Sequence, residues 1–363
     1  MSSSNQSYPT LVLIQQLLTN YFYPIILVFG IFGNIINIII FLRKSLRQIS
    51  CNNYFLASSF VNLIILNVGI IPLIYTNKYN WQITTIYCKI RSYLFNSSQQ
   101  MSRYFIVMAC FDRFALCSSN IRLRRFSHVN IARYYINPFI IIIWIIFPIH
   151  MLIFTISINN SCIYPGISAL YNSIYGITLV GFIPPILMLT FSILTYRNLK
   201  IKQYRRQTHL FTTLNNQLSI NQNLKQEKKD QQVLRMLIIQ VIIYISTTTP
   251  SSINLLYSVL TSYSGIIKSN ERKSIESFIS FLTGILNYTY PTLSCYLFFF
   301  ISHLYRKQIK FILIYIRRQS CFPSIQNNNN NNTNALERVS VRKMTSKILP
   351  VQQPVIIPIN IQQ

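Results

Sequence analysis

Long apolar blocks, broken by polar and basic connections, dominate this chain. Seven of them approach the roughly 20 residues that cross a hydrocarbon layer. They run near Leu18–Leu42, Tyr54–Thr76, Cys88–Leu116, Tyr134–Ser157, Tyr171–Tyr196, Val233–Leu260 and Ile275–Ile301. The pattern predicts an all-α membrane protein, a seven-transmembrane helix bundle with a short amphipathic helix after the last span. The expected organisation is an extracellular N-terminus over residues 1–17, the bundle over 18–301, a cytoplasmic juxtamembrane helix over 302–318 and a disordered tail over 319–363. The third block is the least apolar, with Asn96, Gln99, Gln100 and Arg103 inside it. A span that polar belongs in the centre of a bundle.

Charge orients these spans. Lys and Arg gather in cytoplasmic connections. With the N-terminus outside, 25 of the 33 Lys and Arg fall inside and six fall outside. The other two, Arg103 and Arg113, lie in the third block. The net charge of +27 is therefore a topology signal and a contact for anionic lipid of the inner leaflet; nothing in the chain calls for nucleic acid. Composition agrees, with 51% hydrophobic and only 11% charged residues, against about a quarter charged in soluble domains. The first residues lack a basic region followed by an apolar one, so no cleavable signal peptide is expected.

Cys88 and Cys162 are the only cysteines on the outer side, where an oxidising exterior favours a disulfide. The remaining five should stay reduced, with Cys321, after Arg317-Arg318, a candidate for palmitoylation. Sequons at Asn5 and Asn159 fall outside and are candidate glycosylation sites. The third inner loop, Arg197–Gln232, and the Asn-rich tail lack the apolar content to pack and are expected to be disordered. Ser340, Thr345 and Ser346 sit among basic residues there, where kinases could act. No metal cluster, catalytic triad or Gly-rich phosphate loop stands out, so neither an enzyme nor a cofactor is expected.

One apolar run, VMACFDRFALC, contains an Asp-Arg pair. A charge near the bilayer core costs about 2.5–3.5 kcal/mol on insertion scales, so the pair needs a task or a place at the membrane edge. Asp112, Arg113 and Phe114 end the third span at the inner face. Cys88 begins it about 37 Å away at 1.5 Å per residue. With Gly33-Asn34, Trp81, Trp144, Pro184-Pro185 and Pro250, this ensemble resembles the rhodopsin-like (class A) G-protein-coupled receptors. The resemblance extends from the first span to the basic helix after the seventh. It implies that Arg113 is held inside at rest and meets a heterotrimeric G protein when active, with arrestin as a further cytoplasmic partner. Asp112 can pair Arg113 locally. Asp230, about 30 Å before Pro250 at the inner end of the sixth helix, is a second candidate partner that would tie the third helix to the sixth.

The chain also departs from that family. Asn62 stands where an Asp helps to bind sodium; without its charge, sodium binding should be weak or absent, although Asn34 and Ser102 could join Asn62 in a polar core. Thr247-Thr248-Thr249-Pro250 replaces Cys-Trp-x-Pro, with Tyr244 as the nearby aromatic. The seventh span lacks Asn-Pro-x-x-Tyr; the register Ser294–Phe298 keeps the usual spacing to Tyr305. Phe95 occupies the place of the carboxylate that pairs small amines, and the outer half of the seventh span has no Lys for a retinal Schiff base. A peptide remains. Its expected contacts are Arg91, Phe95, Asn96 and Gln99 on the third helix, Tyr171 and Tyr175 on the fifth, Asn254 and Tyr257 on the sixth and Glu276 on the seventh. The seventh span has the look of an invertebrate neuropeptide receptor of the FMRFamide-receptor type. The rival readings are a seven-helix scaffold that no longer signals, kept open by the altered sixth and seventh spans, and a channel or transporter. The latter would want repeats or broken helices along a polar path.

Overall fold

The computed structural model describes residues 7–79, 84–158, 161–212, 217–264 and 268–320. Helices account for nearly all of them, in the order α1 (Thr10–Phe41, helical from Ser7), α2 (Ser50–Tyr79), α3 (Thr85–Cys117), α4 (Val129–Phe154), α5 (Ile167–Arg205, helical on to Thr212), α6 (Gln217–Tyr263), α7 (Asn270–Ile301) and α8 (His303–Ser320). Among the described helices, α1, α2, α4, α5 and α6 are long and apolar enough to cross a membrane. α3 and α7 are the two more polar members.

α3 begins at an N-cap, where Thr84 Oγ1 accepts from the Tyr87 N–H, and packs against α2, α4 and α5. Ser97, Ser98, Gln99, Gln100, Ser102 and Arg103 are all buried. The polar face that makes α3 a poor lipid-facing span is turned into the bundle, where its neighbours cover it. α2 packs between α1 and α3, and α7 against α6 and α1.

Prolines shape the helices. Three wide π-helical turns, Leu18–Phe22, Ala132–Ile136 and Gly176–Phe182, end just before Pro24, Pro138 and Pro184-Pro185. A proline lacks the N–H that would close the preceding turn, and its ring pushes on the carbonyl four residues back. Other helices supply donors to carbonyls freed in this way. Tyr244 on α6 donates to Val180 O, four before Pro184. Arg91 on α3 donates to Val68 O, four before Pro72, at 3.4 Å, and to the adjacent Gly69 O at 3.1 Å. Gly69 itself is needed where α2, α3 and α7 meet, since a Cβ there would strike the rings of Phe95 and Tyr288. Gly166, with φ of 53°, makes the turn that starts α5.

Three boundaries differ from expectation. The first helix begins at Ser7, within the 1–17 stretch placed ahead of the first span. The third inner loop, expected to be disordered, is mostly helix, because α5 runs to Thr212 and α6 starts at Gln217. Its Gln, Lys, Arg and Leu residues are strong helix formers, and a polar helix in water keeps its backbone bonded without a core. The chain forms one compact unit up to Gln308, and a second begins at Ile309. α8 is helical as far as the described residues run, through Ser320, past the expected end at 318.

Candidate functional site

The end of the bundle where α3 begins is tied by a disulfide between Cys88, at the start of α3, and Cys162. Cys162 sits in a hairpin of β1 (Ile156–Ile158) and β2 (Ser161–Ile163), in which Ser157 pairs with Cys162. The hairpin therefore lies against the outer end of α3.

Beneath it the bundle opens into a central cavity of about 190 Å³ lined by α3, α5, α6 and α7. Of the expected ligand residues, Phe95, Asn96, Gln99 and Tyr175 line it. So does Arg103, which sequence reasoning treated only as a misfit in an apolar span. It is 7% exposed, and its Nη2 donates to Gln99 Oε1 at 2.6 Å. Asn172, Thr248, Ser251, Ser252 and Asn287 complete a polar lining without an acidic residue.

The other expected ligand residues are elsewhere. Asn254, Tyr257 and Glu276 line a separate crevice of about 970 Å³ between α6 and α7, whose Ile253, Ile275 and Ile279 are exposed. Glu276 is already engaged there. It pairs with Lys268 at 2.6 Å and Arg272 at 3.0 Å and accepts from the Tyr257 hydroxyl at 2.8 Å. Hydrogen bonds to Tyr257, then to Glu276, push the Arg272 guanidinium above its ordinary value. Tyr171 is 53% exposed and packs edge-on against His150. Arg91 also misses the central cavity. It shares a helical face with Phe95 and Gln99, but Val68 O, left without its donor by Pro72, and the neighbouring Gly69 O capture its guanidinium.

That capture is testable. Arg91→Met should cost about 1.5–3 kcal/mol of stability, the range for hydrogen bonds to a charged group. In a Pro72→Ala background, where the helix regains its own N–H, the loss should shrink. Melting of the four proteins gives the coupling; equal losses in both backgrounds would show that Arg91 acts elsewhere.

The polar core forms a connected path. Asn34 Nδ2 donates to Gly30 O and Pro291 O, Asn62 Nδ2 to Asn34 Oδ1 at 3.2 Å, and Ser102 Oγ to Asn62 Oδ1 at 2.6 Å. Ser58 Oγ lies 3.0 Å from Ser102 Oγ. Asn34, Asn62 and Ser102 are 0–2% exposed, so α1, α2, α3 and α7 meet on neutral, mutually satisfied groups. Towards the inner face Phe41, Phe55, Phe298 and Tyr305 pack ring on ring. The Tyr305 hydroxyl donates to Asn37 Oδ1 and lies 3.3 Å from Cys295 Sγ. Phe298 and Tyr305 thus meet at the spacing of the Ser294–Phe298 register.

At the inner end of α3 Arg113 Nη2 lies 3.1 Å from Asp112 Oδ2, both side chains almost wholly covered. Ser127 donates to Asp112 Oδ1 at 2.9 Å, which fixes the carboxylate from the following connection. Phe114 stacks on Phe191 of α5. Asp230 belongs to α6, with its side chain outside the described residues. Asn5, Asn159, Cys321 and Trp81 also lie outside them.

Comparison with known proteins bears on this arrangement. The profile of the 7 transmembrane receptor (rhodopsin family) matches residues 33–310. The mouse (Mus musculus) neuropeptide Y receptor type 6 is 32% identical over 96 residues, which is 26% of each chain. That alignment spans about a quarter of the relative's length. The family match runs from Gly33-Asn34 in α1, through the buried Asp112–Arg113 pair, into α8, and covers most of the chain; the protein belongs to the rhodopsin family of seven-transmembrane receptors.

Proposed function

We propose that the chain is a plasma-membrane receptor for an extracellular peptide. Its N-terminus would lie outside and its C-terminus inside, and it would activate a heterotrimeric G protein at the inner end of α3. The observation that carries this reading is the covered Asp112–Arg113 pair, 3.1 Å apart, which offers a cation held at rest and available when the inner face opens. Such a two-state element can be biased by a ligand that binds one state better. The inside-positive distribution of Lys and Arg supports the orientation. The central cavity supports a peptide end over a small amine, because aromatic and amide side chains line it and no carboxylate does. The short similarity to a receptor whose name specifies neuropeptide Y points the same way. Arrestin would compete for the same inner face, and the basic connections would rest on anionic lipid. Asn5 and Asn159 would be glycosylated and Cys321 palmitoylated.

A neuropeptide library applied to cells that express the chain with a promiscuous G protein tests the reading. A peptide that raises second messenger only in those cells supports it. A response to amines or lipids, and to no peptide, overturns it. Thr247–Pro250 and Ser294–Phe298 favour a second reading, a scaffold that binds without signalling, which predicts saturable peptide binding and no second messenger.

A further inference from the structure

The central cavity holds a buried cation, Arg103, that no ion pair among the described residues meets. Arg103 is 7% exposed and lies in the middle of α3, ten residues, or about 15 Å, outward of Arg113. The chain has only six acidic residues. Asp112 is paired with Arg113, and Glu276 with Lys268 and Arg272. Glu271 stands in the first turn of α7. Glu227 and Asp230 lie 20 or more residues before Pro250, about 30 Å towards the inner face, and Glu337 falls in the tail beyond α8. Among the described residues no ion pair includes Arg103; its hydrogen bond goes to the neutral Gln99.

A guanidinium this deep is costly unless a negative group meets it. The polar side chains that line the cavity with it, Asn96, Gln99, Asn172, Thr248, Ser251, Ser252 and Asn287, are all neutral, beside Phe95, Val180 and Leu255. Gln100 is fully buried with the Tyr175 hydroxyl beside it, and Asn172 Oδ1 has no hydrogen-bond partner. The opening of about 190 Å³ is smaller than the roughly 300–1,000 Å³ of a pocket for a whole small molecule, so it suits one end of a larger ligand. Arginine's planar fork matches a carboxylate better than a point charge does.

From this we infer that the activating ligand delivers a carboxylate to Arg103, as a free peptide terminus or an acidic side chain at the buried end. The inference rests on the central cavity being the ligand site of the proposed receptor. It separates ligands by charge: a peptide with an amidated end and no acidic side chain would leave Arg103 unmet.

The test is thermal melting of the purified full-length receptor with N-acetyl-phenylalanine, its amide, decanoate, and chloride against gluconate at matched ionic strength. N-acetyl-phenylalanine at about 10 mM should raise Tm by a few degrees, and the amide should not. Arg103→Gln should remove that difference, and Arg103→Lys should keep part of it. Unliganded Arg103→Gln should melt higher than wild type, since it removes a charge that nothing offsets. Should that variant fail to fold, the acid-against-amide comparison on wild type still decides. An equal shift from decanoate keeps the carboxylate and makes a fatty acid its source. Equal shifts from acid and amide, no shift from any carboxylate, a preference that survives Arg103→Gln, or an Arg103-dependent shift with chloride alone would overturn the inference. A library peptide that signals equally as acid and amide would overturn it too, while leaving the peptide-receptor reading intact.

Discussion

Arg113→Ala should abolish G-protein activation at every agonist concentration while leaving surface level and agonist binding near wild type. The side chain sits at the inner end of α3, away from the central cavity, so its loss does not touch the ligand. Asp112→Asn should do the reverse and raise signalling without agonist. The pair is nearly covered, and removing one partner of such a pair costs about 3–5 kcal/mol when the other charge is left alone. Ser127 still bonds the position, and solvent at the inner face will soften the loss, so a shift of about 5- to 150-fold in the resting equilibrium is expected. From a resting active fraction well below one per cent, that gives partial basal activity. Asp230→Ala raising basal signalling further would identify the α6 partner. Normal signalling from Arg113→Ala, measured by second messenger against surface label, would overturn the proposed function.

The second large effect is at the outer face. Cys88→Ser and Cys162→Ser should each lower surface level and agonist binding severely, and the double variant should be no worse than either single. The bond closes a separation of 74 residues, for which chain entropy alone gives about 4.5 kcal/mol. It also holds the β1–β2 hairpin against α3 above the cavity. Additive losses in the double variant would mean that the two cysteines act independently.

Sequence pattern reveals some of these features and hides others for physical reasons. Runs of apolar residues mark the spans, because lipid imposes length and composition directly. The polarity of α3 marks the bundle centre by the same logic. Asn34, Asn62 and Ser102 could be grouped because the resemblance places Asn62 where that family carries its sodium-binding Asp. Arg91, expected among the ligand contacts, turns away because its direction depends on a carbonyl that a proline frees on another helix. Nothing in the local pattern of α3 records that. Asn254, Tyr257 and Glu276 lie on the outer halves of the expected helices, but rotation about the helix axis, set by packing, turns them to the α6–α7 crevice. The inner extensions of α5 and α6 were hidden for another reason. Composition separates packed from unpacked chain, and a solvated helix is unpacked yet regular. Arg103 was visible as an anomaly; only the count of nearby acids and the presence of a chamber turn the anomaly into chemistry.

The length of α6 carries a mechanical consequence. From Pro250 to Gln217 the helix continues for 33 residues, about 50 Å at 1.5 Å per residue. Such a rod is a lever with its fulcrum near the proline. A tilt of only 5° there, about what one displaced side chain can cause, would sweep the far end through roughly 4 Å. A motion too small to open the cavity would therefore still arrive at the far tip of α6 as a displacement wider than a water molecule.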